Sequence, residues 1–498
     1  MTGVAIALAA FALHLSTAWR YGYFRDELYF IACGRHLAWG YVDQPPLVAL
    51  VAWLAQPAND GLIALRLLPC LAAGLTTYVA IQIARDLGGG RFAQWLAGIA
   101  VALTPAYLLL GNILTTTSFE PLSWTLVIWL CMRRHWLALA AAASFGLYGK
   151  YSMALLLVAL LIGLLVNKER RVLATPWLAS AAAIAGIIML PNLWWQAAHG
   201  WPFLAVLQGD AAHRHAFNNG WLLESQNLAG NAISFATEQL VYTNPLAAPV
   251  WLCGLIAPFA WTRLRELRFV SIAYIVLFAA AVMLEAKGYY IIGVYGALLA
   301  VGSVVVERTA VWLRSALFVA LSATALATMP FSIPVLPIDG FITYSRVLGL
   351  TGRDGGPPRL IQPIYAEEFG WDRLASDVTS VYEALPASTR AATAIYADTY
   401  ADAGAIDFFG PSHGLPSAIS SQNSYWLWGT HGYNGKSMIA IGASRIDLLR
   451  QYYRSCRLVR TSDEPLKWVV EGPAPIYLCT EPTLPLDQVW PHLRWYGA

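Results

Sequence analysis

Long apolar runs separated by short polar connections dominate the first two thirds of this chain. The segments 3–19, 62–84, 92–110, 120–132, 136–148, 151–166, 175–191, 245–261, 269–284, 289–306 and 312–329 read as membrane-buried helices, about eleven once tilt and short helices are allowed. The first has no basic stretch before it, so it reads as a retained helix rather than a cleaved signal. Two longer connections interrupt the pattern. In 20–61, the stretches 27–39 and 45–58 read as amphipathic helices suited to a membrane surface, the second opening at Pro45. Residues 192–244 are rich in Trp, His, Asn and Gln, a composition that suits a loop covering a substrate.

After residue 330 the pattern changes. A linker carrying Pro330, Pro334 and Pro337 and a Gly/Pro stretch at 352–358 precede short β-like runs at 391–397, 437–442, 456–460 and 475–479. A helical pattern covers 371–385. The expected organisation is a transmembrane module over 1–330 followed by a small α/β domain over 331–498.

Composition sharpens this picture. The 498 residues are 58% hydrophobic and 12% charged, with mean hydropathy +0.52. A soluble domain carries about twice that charged fraction, so the chain reads as a multi-pass membrane protein. A net charge of +3 without any long basic run gives no footing for nucleic-acid binding. The 21 Trp and 24 Tyr suit interfacial belts and also suit sugar binding. Cys33, Cys70, Cys131 and Cys253 fall in or near apolar segments and read as free thiols. Cys456 and Cys479 lie in the polar part, where an oxidising compartment would allow them to pair across adjacent strands.

Charge also orients the chain. Arg85 and Arg91, Arg133 and Arg134, Lys168, Arg170 and Arg171, Arg263, Arg265 and Arg268, and Arg308 and Arg314 fill alternate short connections. The positive-inside rule places these in the cytoplasm, with the N-terminus inside and the C-terminal domain extracytoplasmic. Asp26, Glu27, Asp43, Glu120, Lys150, His213 and Lys287 then fall on the outer face. That face has no access to nucleotide-activated groups, and the chain has no P-loop, so an activated group used there arrives on a lipid carrier.

Sugar transfer from a polyprenyl phosphate needs a carboxylate to take the acceptor proton, cations for the departing phosphate, and aromatic faces for the sugar. Asp26 is the candidate base; the competing reading is a carboxylate capping the following helix. Glu27 either orients Asp26 and binds substrate or is a first-turn helix acid. Lys287, Arg25 and Lys150 are candidates for the phosphate, the alternative for the lysines being interfacial snorkelling. Asp43, Tyr29, Tyr289, Tyr290 and His213 are candidate substrate contacts, and Glu120 is either a second site carboxylate or a helix-start acid. His213-x-His215 has no further ligands at zinc spacing, so these histidines read as solvated or substrate-contacting rather than as a metal site; no cofactor is expected, and a divalent metal stays open.

The pattern Arg25-Asp26-Glu27-Leu28-Tyr29 followed by Asp43-Gln44-Pro45-Pro46 resembles the GT-C membrane glycosyltransferases. Specifically it resembles the branch holding the dolichyl-phosphate-mannose protein mannosyltransferases and the bacterial lipid A aminoarabinose transferases. Lys287-Gly288-Tyr289-Tyr290 looks like the Lys/Arg-x-x-Tyr segment opening a late helix there. Residues 403–410 (AGAIDFFG) and 423–429 (NSYWLWG) resemble the outer domain of bacterial members. The resemblance implies a GT-C-like fold, a polyprenyl-phosphate-linked sugar donor, inversion at the anomeric carbon, and Asp26 of the Asp26-Glu27 pair as the catalytic residue. One departure is plain: Asp43-Gln44 stands where the aminoarabinose transferases carry Glu-Lys, which moves phosphate binding to Lys287, Lys150 or Arg25.

The sequence thus predicts a polytopic α-helical membrane glycosyltransferase with an extracytoplasmic α/β domain, located in the inner or plasma membrane. It would act on a glycan, lipid or protein acceptor. A transporter or lipid flippase is the alternative; charges clustered at one surface and the lack of an internal repeat argue against it.

Overall fold

The computed structural model describes residues 2–167, 175–217, 228–350, 361–442, 444–467 and 473–497, the side chains at 2 and 210–217 excepted. The chain is mostly helical and divides into two compact units. The first comprises Met1–Trp19, Ile63–Trp194 and Arg214–Val335; the second comprises Arg20–Leu62, Trp195–His213 and Leu336–Ala498.

In the first unit every apolar segment read from the sequence is helical where described. Five helices among the described residues are long and apolar enough to cross a membrane: Leu62–Asp86, Pro176–Ala198, Thr262–Met283, Gly288–Val306 and Val311–Phe331. A sixth crossing requires Leu228–Thr243 and Pro245–Ala260 together, which are bent by 93°. The bend has a local cause. Pro245 has no N–H to continue the helix, and Asn244 takes φ 71° and accepts a 3.0 Å hydrogen bond from the Leu246 N–H to start the next turn. Glu120–Met132, Trp136–Gly149 and Ser152–Val166 have 13, 14 and 15 residues, short of the roughly 20 that span a bilayer unaided. The expected 92–110 segment splits at Thr104-Pro105 into Arg91–Ala102 and Pro105–Leu110, because proline starts a helix readily but does not continue one. Val127, Trp124, Val250, Tyr295 and Leu298 lie in one buried apolar core, whereas Val166, Trp177, Ile187 and Trp312 are exposed. Large apolar side chains turned outward suit lipid as the surrounding solvent, and the protein is a multi-pass membrane protein.

The 192–244 region is not a loop where it is described. It runs through the helices Pro176–Ala198, Pro202–Phe217 and Leu228–Thr243. Apolar positions at helical spacing, such as Phe203, Val206 and Leu207, outweigh the local polarity.

The second unit holds a mixed five-stranded sheet. Its strands are β1 (Thr393–Ala397), β2 (Ala418–Ser420), β3 (Ser437–Ile441), β4 (Tyr453–Ser462) and β5 (Ala474–Pro482), in the order β2-β1-β3-β5-β4. β1 pairs in parallel with β2 and β3; β5 pairs antiparallel with β3 and β4. Four of these strands and the helix Trp371–Glu383 fall where the sequence predicts them; the three-residue β2 is too short to leave a periodic signal. Cys456 and Cys479 sit opposite each other on β4 and β5 and are disulfide-bonded.

The first long connection packs within this same unit as the helices Arg25–Arg35 and Leu47–Ala55. Two glycines set the spacing. A Cβ on Gly34 would stand 2.8 Å from the Trp53 nitrogen, and one on Gly404 would stand 2.8 Å from the Leu28 carbonyl carbon. The Arg25–Arg35 helix therefore lies backbone to backbone against Leu47–Ala55 on one side and Tyr400–Phe409 on another.

Candidate functional site

The Asp26 carboxylate sits in the first turn of the Arg25–Arg35 helix, whose N-cap is Phe24. Asp26 is therefore not the cap. Glu27 takes the helix-start role: it is fully buried, and its Oε2 accepts a 2.8 Å hydrogen bond from the Phe24 N–H. The helix N-terminus places its positive dipole end beside both acids.

The side chain of Asp26 is 29% exposed, and its Oδ1 accepts a 2.9 Å hydrogen bond from the Tyr400 hydroxyl. Arg25 Nε lies 3.8 Å from the same oxygen. The Arg25 guanidinium also reaches Glu367 at 3.3 Å and stands 5.4 Å from the Tyr400 ring centre. Tyr29 packs against Tyr400 with ring centres 4.7 Å apart, and its hydroxyl donates to Asp43 Oδ1 at 2.8 Å. Two neighbouring phenols thus serve two carboxylates, Tyr400 on Asp26 and Tyr29 on Asp43. Burial first, and then the neighbouring carboxylates, hold both phenols well above the usual tyrosine range, with Arg25 opposing this at Tyr400. Both rings therefore remain proton donors at neutral pH.

The C-terminal motifs build the back of this arrangement. The Ser424 N–H donates to the Tyr29 hydroxyl at 3.3 Å, and Ser424 Oγ accepts from the Val42 N–H at 3.2 Å. Asp407 accepts from the Tyr425 hydroxyl and the Ala418 N–H, each at 2.8 Å. Burial raises the Asp407 carboxyl above its ordinary range. Gln44 is buried beside Cys33, its Nε2 3.7 Å from the sulfur.

The remaining candidates lie in the first unit. Glu120 opens the helix Glu120–Met132 and is buried; its carboxylate accepts from the Ser152 hydroxyl and lies 3.6 Å from Lys150 Nζ. Lys150 also donates to Thr117 Oγ1 at 2.8 Å and stands 5.0 and 4.9 Å from the Tyr289 and Tyr290 ring centres. The structure brings Glu120, Lys150, Tyr289 and Tyr290 into one cluster. Lys287 is exposed and immediately precedes the 3-10 helix Gly288–Val294, which opens the Gly288–Val306 span. His213 falls in the helix Pro202–Phe217, and its side chain lies outside the described residues. Among the described residues no group of three or more His, Cys, Asp and Glu is arranged to hold a metal ion.

Sequence reasoning missed Tyr400, Glu367 and Ser152. Tyr400 stands three residues before the 403–410 motif, but nothing local ties its hydroxyl to a residue 374 positions away.

Comparison with known proteins bears on this architecture. The family model described as dolichyl-phosphate-mannose-protein mannosyltransferase matches residues 43–195, beginning at Asp43 and so past Asp26. The fold matches the crystal structure of ArnT from Cupriavidus metallidurans in the apo state, with TM-score 0.60 and 15% identity over 96% of this chain and 97% of that one. It also matches the same protein bound to undecaprenyl phosphate, with TM-score 0.58 and 14% identity over the same shares. No curated protein sequence gives a significant match. The chain therefore has the fold of ArnT. It resembles the protein mannosyltransferase and ArnT type, as the sequence resemblance implies, and the family match includes the Asp43-Gln44-Pro45-Pro46 motif.

Proposed function

We propose that this protein transfers a sugar from a polyprenyl-phosphate carrier to an acceptor hydroxyl at the extracytoplasmic face of the inner membrane, with inversion. The observation that carries the reading is the Asp26 carboxylate, partly open at a helix N-terminus and fixed by the Tyr400 hydroxyl. Asp26 takes the acceptor proton as the acceptor oxygen bonds to the anomeric carbon. The bond from that carbon to the phosphate oxygen breaks, and the polyprenyl phosphate leaves with the electron pair. No general acid is required for a phosphate leaving group.

The ArnT fold and the undecaprenyl phosphate in one of its structures support the lipid-linked donor. Of the three cations proposed for the phosphate, Arg25 and Lys150 already face Glu367 and Glu120, so the role falls first to exposed Lys287. Asp43, Tyr29, Tyr289, Tyr290 and His213 are proposed to contact substrate. The basic connections support a cytoplasmic N-terminus. The Cys456–Cys479 disulfide supports an oxidising, extracytoplasmic side for the sheet. The short apolar helices are proposed to complete the crossings toward eleven.

The test is transfer of radiolabelled sugar from polyprenyl-phosphate donors in membranes carrying wild-type protein or Asp26→Asn at matched expression. Turnover by the wild type that falls at least about a hundredfold in the folded variant is expected. Undiminished turnover by Asp26→Asn would remove Asp26 as base.

A further inference from the structure

We infer that Tyr400 is a positioning residue for the proposed reaction: its hydroxyl orients the Asp26 carboxylate toward the acceptor and holds it in the ionised form. The inference rests on the reading of Asp26 as general base. It adds a residue from the C-terminal region that no sequence motif assigned.

Three observations combine. Tyr400 opens the helix Tyr400–Phe409 three residues past the end of β1, and its N–H donates at 2.8 Å to the side-chain oxygen of buried Gln422, two residues past the end of β2. The backbone from which the phenol projects is thus tied to the carboxyl ends of two parallel strands. Gly404, one turn along the same helix, lets the backbone touch Leu28 and Tyr29, which sets the separation between the two helices. The ring itself is clamped by Tyr29 at 4.7 Å and by the Arg25 guanidinium at 5.4 Å. A buried ring held on several sides has little freedom to move, so its 2.9 Å bond to Asp26 Oδ1 fixes the carboxylate plane.

The chemistry follows from the direction of that bond. A phenol donating to a carboxylate stabilises the ionised form, and a general base must begin ionised. The neighbouring phenol serves the other acid: Tyr29 donates to Asp43 while Tyr400 donates to Asp26, and the two rings pack at 4.7 Å with their planes tilted by 34°. Arg25 shares Oδ1 at 3.8 Å, a longer contact that supplies charge but less direction than the hydroxyl.

Two measurements on the full-length protein test this. Isotope-edited infrared titration follows the Asp26 carboxylate, identified as the band lost in Asp26→Asn. It requires no turnover. Tyr400→Phe keeps the ring and removes only the hydroxyl, and Asp26 is expected to titrate at higher pH than in wild type. Incorporation of 3-fluorotyrosine at position 400 strengthens the donor and is expected to move the titration the other way. Opposite displacements are not a signature of general loosening. Sugar transfer is measured alongside: Tyr400→Phe is expected to lower kcat about tenfold at unchanged KM and to shift the acid limb of the rate profile upward. An Asp26 band that titrates identically in all three proteins overturns the inference, whatever the catalytic result. Displaced titrations with full turnover by Asp26→Asn would instead leave the bond standing and remove the base assignment, and with it the positioning role.

Discussion

The Lys150 ammonium lies 3.6 Å from the Glu120 carboxylate, and the two side chains are 20% and 2% exposed. A pair so placed is held because each charge answers the other's desolvation. Glu120→Gln leaves the lysine facing Thr117 and the two tyrosine rings without a counter-charge. The expected loss is about 3–5 kcal/mol, read as a lower unfolding midpoint in detergent. Combining it with Lys150→Met should recover part of that loss. Additive effects would show that the two groups are not coupled.

Glu27 and Asp26 are neighbours with different expected sensitivities. Glu27 is enclosed and bonded to the Phe24 N–H, so its removal unties the helix start. Glu27→Ala is expected to cost about 1–2 kcal/mol. Glu27→Gln, which retains an acceptor oxygen, should keep sugar transfer within about tenfold of wild type, far above Asp26→Asn. A Glu27→Gln variant as inactive as Asp26→Asn, yet equally well folded, would assign Glu27 a chemical role.

The disulfide closes a separation of 23 residues between β4 and β5. Cross-linking that loop contributes about 3 kcal/mol by restricting the unfolded chain. Cys456→Ser should lower the unfolding midpoint accordingly. In the unfolded, unreduced wild-type protein, maleimide should label the four other cysteines and reach Cys456 and Cys479 only after reduction. Labelling of all six without reductant would refute the bond.

Asp398, just past β1, gives stability a pH dependence. Burial raises its carboxyl to about 6 from an ordinary 3.8, against the bonds it accepts from Ser444 Oγ and the Arg445 N–H. The folded protein therefore holds this proton more tightly than the unfolded chain. The stabilisation is full below about pH 4 and is lost as pH rises through about 6, roughly 2–3 kcal/mol in all. Asp398→Asn removes the titration, so the stability difference between variant and wild type should change over pH 4–7 and be flat above it. A difference independent of pH across that window would contradict the assignment.

Much of this protein was determined by its sequence alone. Apolar runs must be helical in lipid because every backbone polar group there needs an internal partner, and each such segment is helical where described. Short β-like runs at 391–397, 437–442, 456–460 and 475–479 marked four of the five strands, and the helical pattern at 371–385 marked the helix Trp371–Glu383. Helix lengths were less plain, since hydropathy does not register Thr104-Pro105 or Asn244-Pro245 until the backbone turns there.

The candidate site divides along the same line. The residue types at 26, 27 and 43 point to acid–base chemistry because few structural roles place carboxylates beside a membrane. Their differing surroundings did not follow from that: Glu27 is enclosed against Phe24, while Asp26 is half-buried and bonded to Tyr400. Nor did periodicity assign residues 20–62 to the same compact unit as the C-terminal sheet. Local pattern reports what a segment must bury. Which distant segment provides the burial, and so which phenol meets which acid, is settled only when Gly404 brings Tyr400–Phe409 against the Asp26 helix.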